Sequence, residues 1–254
     1  MAVQLFAKAA GRPLISAHRG FSAKAPENTV AALEAALETG ADVAEVDLRM
    51  THDGHLVLMH DRSVDRTTSG RGRVSDLTLD EVRQLDAGAW FAPEFAGITV
   101  PTLEEALRWS NGRLGFLLEL KNYPERQTAF LSQVIRTIEQ CAAEDFVLVA
   151  GFDHVTLAEV KARRPAWPIE MIYHCRLADP AHAARACGAA LASLEPEFCL
   201  PSDVEALHGA GVAVLTTVLS VEHGRELSRM GVDFFESDDV ELAVTAARAA
   251  GGGG

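Results

Sequence analysis

Eight short apolar runs punctuate this chain, and stretches of helical periodicity separate most of them. The runs cover 13–17, 42–48, 114–120, 146–151, 168–173, 190–195, 212–217 and 232–236, and each reads as a β-strand. Helical patterns cover 28–39, 102–110, 125–142, 153–163, 179–187, 201–210, 221–230 and 238–249. In the first of these, Val30, Leu33 and Leu37 recur at helical spacing, with Asn28 as the expected cap. Asp153, Asp179-Pro180, Pro201-Ser202, Ser220 and Ser237 are start signals for the later helices. Alternation of this kind belongs to a parallel sheet clothed by helices. Eight such units in 254 residues predict an α/β fold, a (β/α)8 TIM-type barrel forming one domain over residues 1–254. An open doubly wound sheet is the alternative, but the glycine-rich dinucleotide turn is absent.

One segment interrupts the alternation. After Asp47 no helix fits, and residues 48–60 read as a hairpin with Asp53-Gly54 at its turn. Its return limb delivers His60 to the C-terminal rim of the barrel. Residues 61–101 continue as a polar, glycine-containing excursion, so 48–101 forms a hairpin plus insertion over that rim. Long insertions there cover or shape active sites; a plain surface elaboration is the alternative. Trp90 and Phe91 either wall a cleft or anchor a small core within the insertion. The closing Gly251–Gly254 run reads as a frayed tail.

Bulk composition narrows the partners. The net charge is −13, with 36 acidic against 23 basic residues, which argues against nucleic acid and against docking on anionic lipid. No apolar run is long enough for a membrane span, and the N-terminal segment lacks the features of a secretory signal. Cys141, Cys175, Cys187 and Cys199 show no paired or metal-type spacing, so a reducing, cytoplasmic setting is expected.

Strand ends carry the chemistry. His18 closes the first apolar run and His60 closes Leu56-Val57-Leu58-Met59. Glu45-Val46-Asp47 and Glu119-Leu120-Lys121 end two other runs. Strand residues two apart share a face, which pairs Glu45 with Asp47 and Glu119 with Lys121. Inward acids are costly unless paired or holding a cation. A structural salt bridge to Lys121 or Arg19 is the plain alternative, but three acids outnumber those two cations. An all-carboxylate set suits a hard cation, Mg²⁺ or Ca²⁺, more than zinc.

The ordered set His18-Arg19-Gly20, Ala25-Pro26-Glu27-Asn28-Thr29, Glu45-x-Asp47, Thr51-His52-Asp53-Gly54, His60-Asp61, Arg66-Thr67-Thr68, Leu85-Asp86-Ala87-Gly88-Ala89-Trp90-Phe91 and Glu119-x-Lys121 resembles the glycerophosphodiester phosphodiesterase family, among the phospholipase-C-like phosphodiesterase barrels. The match is dense over 14–122 and thin beyond. The resemblance implies one divalent cation on Glu45, Asp47 and Glu119, and His18 and His60 as general acid and base in unassigned order. It also implies phosphate oxygens held by Arg19 and Lys121, and hydrolysis of a small-molecule glycerophosphodiester to glycerol 3-phosphate and an alcohol. Chemistry agrees, because an alkoxide leaving group needs a proton and histidine titrates near neutrality. A different diester (lysophospholipid or sugar phosphodiester) and a non-catalytic binder of phosphorylated ligands are the alternatives. Oligomeric state stays open.

Other candidates carry less. His52 and His55 flank the hairpin turn and read as solvated, and His154, His174, His182, His208 and His223 lack evident acidic partners. Asp61 either orients His60 or merely starts the loop, and Glu195 either meets substrate hydroxyls or pairs with a neighbour. The C-terminal third departs from the family pattern at Thr216-Thr217-Val218-Leu219 and at Gly231-Val232-Asp233-Phe234-Phe235-Glu236-Ser237-Asp238, which alters the wall facing the headgroup.

Overall fold

The structure, a computed structural model, describes residues 12–125 and 127–251; Gly252–Gly254 of the glycine tail lie outside that range. Eight parallel strands close into a barrel: β1 (Leu14–Ala17), β2 (Val43–Met50), β4 (Gly115–Leu120), β5 (Val147–Gly151), β6 (Ile169–Tyr173), β7 (Leu191–Leu194), β8 (Ala213–Thr217) and β9 (Phe234–Ser237). Closure is explicit. β1 pairs with β9 on one side (Ser16 opposite Glu236) and with β2 on the other (Ser16 opposite Val43), which excludes the open sheet. β3 (Leu56–Leu58) runs antiparallel to β2, with Leu48 opposite Leu58.

Helices α1 (Val30–Thr39), α3 (Leu103–Ser110), α4 (Phe130–Gln140), α5 (His154–Arg163), α6 (Pro180–Cys187), α7 (Pro201–Gly209), α8 (Val221–Met230) and α9 (Val240–Gly251) accompany the barrel strands, while the short α2 (Leu79–Arg83) lies in the insertion. Capping is done by the side chains the sequence marks at Asp153, Asp179 and Ser220. The first helix differs. Thr29 is its cap, and Asn28 sits one residue earlier with a positive φ of 57° and its side chain committed elsewhere. The helix expected over 125–142 is shorter, Phe130–Gln140, and ahead of it Asn122 Oδ1 accepts from the Gln127 amide (2.9 Å).

Strand alternation divides the core. One face packs Ile15, Val46, Leu118 and Val149 against the helices, while Leu14, Val43, Leu117, Leu148, Leu191, Leu215 and Phe234 fill the barrel interior. Two to four residues further along these strands the inward positions turn polar: Ser16, Glu45, Asp47, Glu119 and Glu236. The apolar plug thus forms a floor beneath a polar mouth. The insertion packs a separate small core from Val57, Met59, Val64, Val74, Val82, Ala87 and Val100. Trp90 is 40% exposed and stacks edge-on with Phe91, so it neither anchors that core nor lines the central cavity.

At Gly20 the β1–α1 loop lies close against α1. The glycine's φ is +78°, and a Cβ there would stand 2.7 Å from Ala32 atoms. Gly20→Ala is therefore expected to destabilise the fold by about 2–4 kcal/mol, combining a left-handed conformation with overpacking. Urea unfolding checks this; a change below about 0.5 kcal/mol would contradict it.

Candidate active site

Register alone begins the site. Pairing of β2 with β4 sets Asp47 opposite Glu119, and Glu45 precedes Asp47 by one inward step. One oxygen from each of Glu45, Asp47 and Glu119 lies within 4.8 Å of the others, and all three residues are buried. Burial, followed by the Asp47 charge, pushes the Glu45 carboxyl well above the usual range. Burial likewise raises Glu119 despite the pull of Lys121. Asp47 goes the other way: burial opposes its charge, yet Lys121 and Arg19 hold its carboxyl below the usual range.

Each acid is fixed by neighbours. Asn28, in its left-handed turn, donates Nδ2–H to Asp47 Oδ2 (2.7 Å) and accepts the Asp47 amide at Oδ1 (3.1 Å). Arg19, also at positive φ (58°), aims its backbone N–H at Glu45 Oε2 (3.0 Å). Lys121 Nζ contacts Glu119 and stands 3.2 Å from Asp47 Oδ1. Glu45 Oε1 is buried with no hydrogen-bond partner. Three converging carboxylates with an orphaned oxygen fit a hard divalent cation, which accepts oxygen ligands only.

Two histidines accompany this cluster, each held by an acid of its own. His18 Nδ1 contacts Asp238 Oδ1 (2.6 Å), while His60 Nδ1 contacts Asp61 Oδ1 (2.7 Å). Each ring thus keeps Nε2 for other chemistry. Burial disfavours the charged form of both, but the outcomes differ. The Asp238 contact, with the fields of Glu45 and Glu236, overrides burial and pushes His18 up to about 10. Burial prevails at His60, aided by Arg19 and Lys121, and holds it below its ordinary value. Glu45 and Glu119 feel the charge of His18, and Asp47 that of His60, so both rings stand near the cluster.

An ion-pair chain ties the insertion to the barrel. Arg66 forks onto Glu27 (2.7 and 2.8 Å) and Asp61 (2.7 and 3.1 Å), and Arg19 Nη1 donates to Glu27 Oε1 (2.9 Å). Arg66 first, then His60, hold the Asp61 carboxyl far below the usual range. Arg49, buried two residues beyond Asp47, donates to the backbone carbonyls of His60 (2.9 Å) and Lys121 (3.0 Å). Asp61 therefore orients His60.

The mouth opens into a cavity of about 370 Å³ bordered by His18, Arg19, Glu45, Glu119, Glu170 and Glu236, among others. His60 lies outside that lining. Sequence reasoning assigned no part in the site to Glu27, Asn28 (read as a helix cap), Arg66, Glu170, Glu236 or Asp238. Five of these, Glu27, Asn28, Arg66, Glu236 and Asp238, sit inside segments it quoted, and Glu170 is a lone acid in an apolar strand, which was a usable signal. Two histidines without evident partners do have acids beside them: His174 contacts Glu195, and His208 Nε2 contacts Asp233 (2.7 Å). Both acids come from other strands or loops, invisible to local reading.

Residues 18–242 match the Glycerophosphoryl diester phosphodiesterase family. The chain is 38% identical over 245 residues to a glycerophosphodiester phosphodiesterase of Caldanaerobacter subterraneus, covering 94% of this chain and 100% of that one. A crystal structure of a glycerophosphodiester phosphodiesterase from Agrobacterium tumefaciens superposes with a TM-score of 0.82 at 30% identity, over 92% of this chain and 99% of that one. An Oleispira antarctica phosphodiesterase in complex with the product sn-glycerol-3-phosphate gives 0.87 at 28% identity, over 92% and 96%.

The asymmetry of the histidines is directly measurable. In metal-stripped protein, NMR titration should show His18 protonated far above neutrality and His60 deprotonating below 6.5. Asp238→Asn should bring His18 back toward 6.5; the reverse order of the two rings would contradict the assignment.

Proposed function

The chain belongs to the glycerophosphoryl diester phosphodiesterase family, and from that premise we propose that it hydrolyses a glycerophosphodiester to glycerol 3-phosphate and an alcohol. On this reading Glu45, Asp47 and Glu119 hold one divalent cation, Mg²⁺ or Ca²⁺. The observation that carries the proposal is the like-charged carboxylate cluster with its orphaned oxygen, accompanied by two imidazoles each keyed to its own acid. Ligand binding alone requires no such pair. The chemistry supplied by a cation at this cluster is neutralisation of the acids and polarisation of a phosphoryl oxygen.

The chain's own groups divide the remaining work. Arg19 and Lys121 present positive charge to the non-bridging oxygens, where negative charge grows as phosphorus is attacked. Without the cation, the three acids offset Arg19, Lys121 and one protonated histidine, leaving nothing to attract a monoanionic diester. His18 remains protonated at neutral pH and gives its proton to the departing alkoxide. His60 remains neutral and takes the proton of the nucleophile. That nucleophile is water or a vicinal glycerol hydroxyl; a transient cyclic phosphate signal in phosphorus NMR identifies the second.

The domain reading is part of this proposal: a single unit over 1–254 in which 48–101 covers the rim and delivers His60. So is a cytoplasmic setting in glycerol and lipid turnover. The four cysteines are free, and among the described residues no helix is long and apolar enough to cross a membrane.

Excess chelator should abolish turnover of glycerophosphocholine, and Mg²⁺ or Ca²⁺ should restore it. Glu45→Ala and Asp47→Ala should reproduce the loss, whereas full activity in chelator would overturn the proposal. His60→Ala and His18→Ala should each lower kcat by about 10²- to 10⁴-fold. The pH profile follows from the shifts. Activity should rise as pH passes His60's depressed value, below 6.5, and fall as it passes His18's raised one. Asp238→Asn should move only the alkaline limb, downward in pH; an unmoved limb would remove His18 as the acid.

A further inference from the structure

The cavity reaches beyond the carboxylate cluster to the far wall of the barrel, where Glu170, Ser193, Thr217 and Glu236 line it. Glu170 lies on β6 two residues before Ile172, which packs against the barrel-interior cluster, so its side chain shares that inward face. Glu170 is only 2% exposed, and its Oε2 has no hydrogen-bond partner. Glu236 spends one oxygen on the Ser16 hydroxyl, which donates to it at 3.0 Å. Burial, then the charges of Glu236 and Glu119, push the Glu170 carboxyl well above the usual range. Among the described residues, Glu170 has no hydrogen bond or ion pair with the phosphate-binding or proton-transfer groups, and Glu236 acts on them through its charge on His18.

An unpaired buried carboxyl is costly, and a ligand that supplied charge and donors together would relieve it. A primary ammonium brings one positive charge and three N–H donors. The acceptors it would seek, the free Glu170 oxygen, the second oxygen of Glu236 and the hydroxyls of Ser193 and Thr217, belong to residues that line the same cavity. A quaternary ammonium brings charge without donors, and a polyol brings donors without charge. The cavity is large enough for a small diester to span both walls. Resting on the diesterase reading above, we propose that Glu170 and Glu236 form a subsite for a protonated primary amine carried by the alcohol half of the substrate.

Steady-state kinetics of the cation-loaded full chain test this with three diesters: sn-glycero-3-phosphoethanolamine, sn-glycero-3-phosphocholine and bis(glycero)phosphate. The wild type should favour the ethanolamine diester over the choline diester by tenfold or more in kcat/KM. The near-isosteric Glu170→Gln should collapse that ratio toward one, chiefly through KM, with the fold confirmed by its thermal midpoint. An unchanged ratio, an equal loss on all three, or the largest loss on bis(glycero)phosphate would overturn the proposal. Elemental analysis should find one ion per chain in both proteins. Two ions in the wild type and one in Glu170→Gln would make the wall a second cation site and also overturn it. Failure to turn over any diester would count against the diesterase reading. The subsite would then be decided by calorimetry: phosphoethanolamine should bind the wild type at least tenfold more tightly than Glu170→Gln, and equal affinities would refute it.

Discussion

Repulsion among Glu45, Asp47 and Glu119 is the constraint around which the barrel mouth is organised. Three carboxylates within 4.8 Å of one another, each buried, lack enough local positive charge to be at ease. The surrounding groups share the load unequally. Asp47 receives Lys121, Arg19 and the Asn28 amide, and stays ionised. Glu45 receives one backbone N–H and is left with an empty oxygen. That imbalance is one that a cation at the cluster would relieve.

Backbone geometry serves the same end. Arg19 and Asn28 both adopt positive φ, unusual for residues with a Cβ, and both aim polar groups at the cluster from the β1–α1 loop. The insertion contributes as well. β3 returns alongside β2, Arg49 grips the carbonyls of His60 and Lys121, and Arg66 locks Asp61 to Glu27. His60 and Arg19, which the sequence separates by 40 residues, are thereby positioned through one chain of ion pairs. Bidentate arginine contacts of this kind carry direction as well as charge.

The barrel was legible because strand and helix periods alternate with little interruption. Glu45, Asp47, Glu119 and Lys121 could be grouped because period-two spacing fixes a face without knowledge of partners. What stayed hidden depends on long-range pairing. Asp238 meets His18 only because β9 closes on β1, and Glu195 meets His174 only because β7 lies beside β6. Asn28 was misread as a helix cap because asparagine suits both a cap and a left-handed turn, and only the proximity of Asp47 decides between them. Trp90 failed as an anchor because the insertion closes its core with smaller valine and alanine side chains.

The central claim, that the carboxylate cluster is a cation site, is tested most directly by calorimetric titration of Mg²⁺ and Ca²⁺ into chelator-stripped protein. The account predicts saturable binding of one ion per chain, a rise in thermal midpoint with ion concentration, and loss of both in Glu45→Gln. Absence of binding, or binding that Glu45→Gln leaves intact, would contradict it.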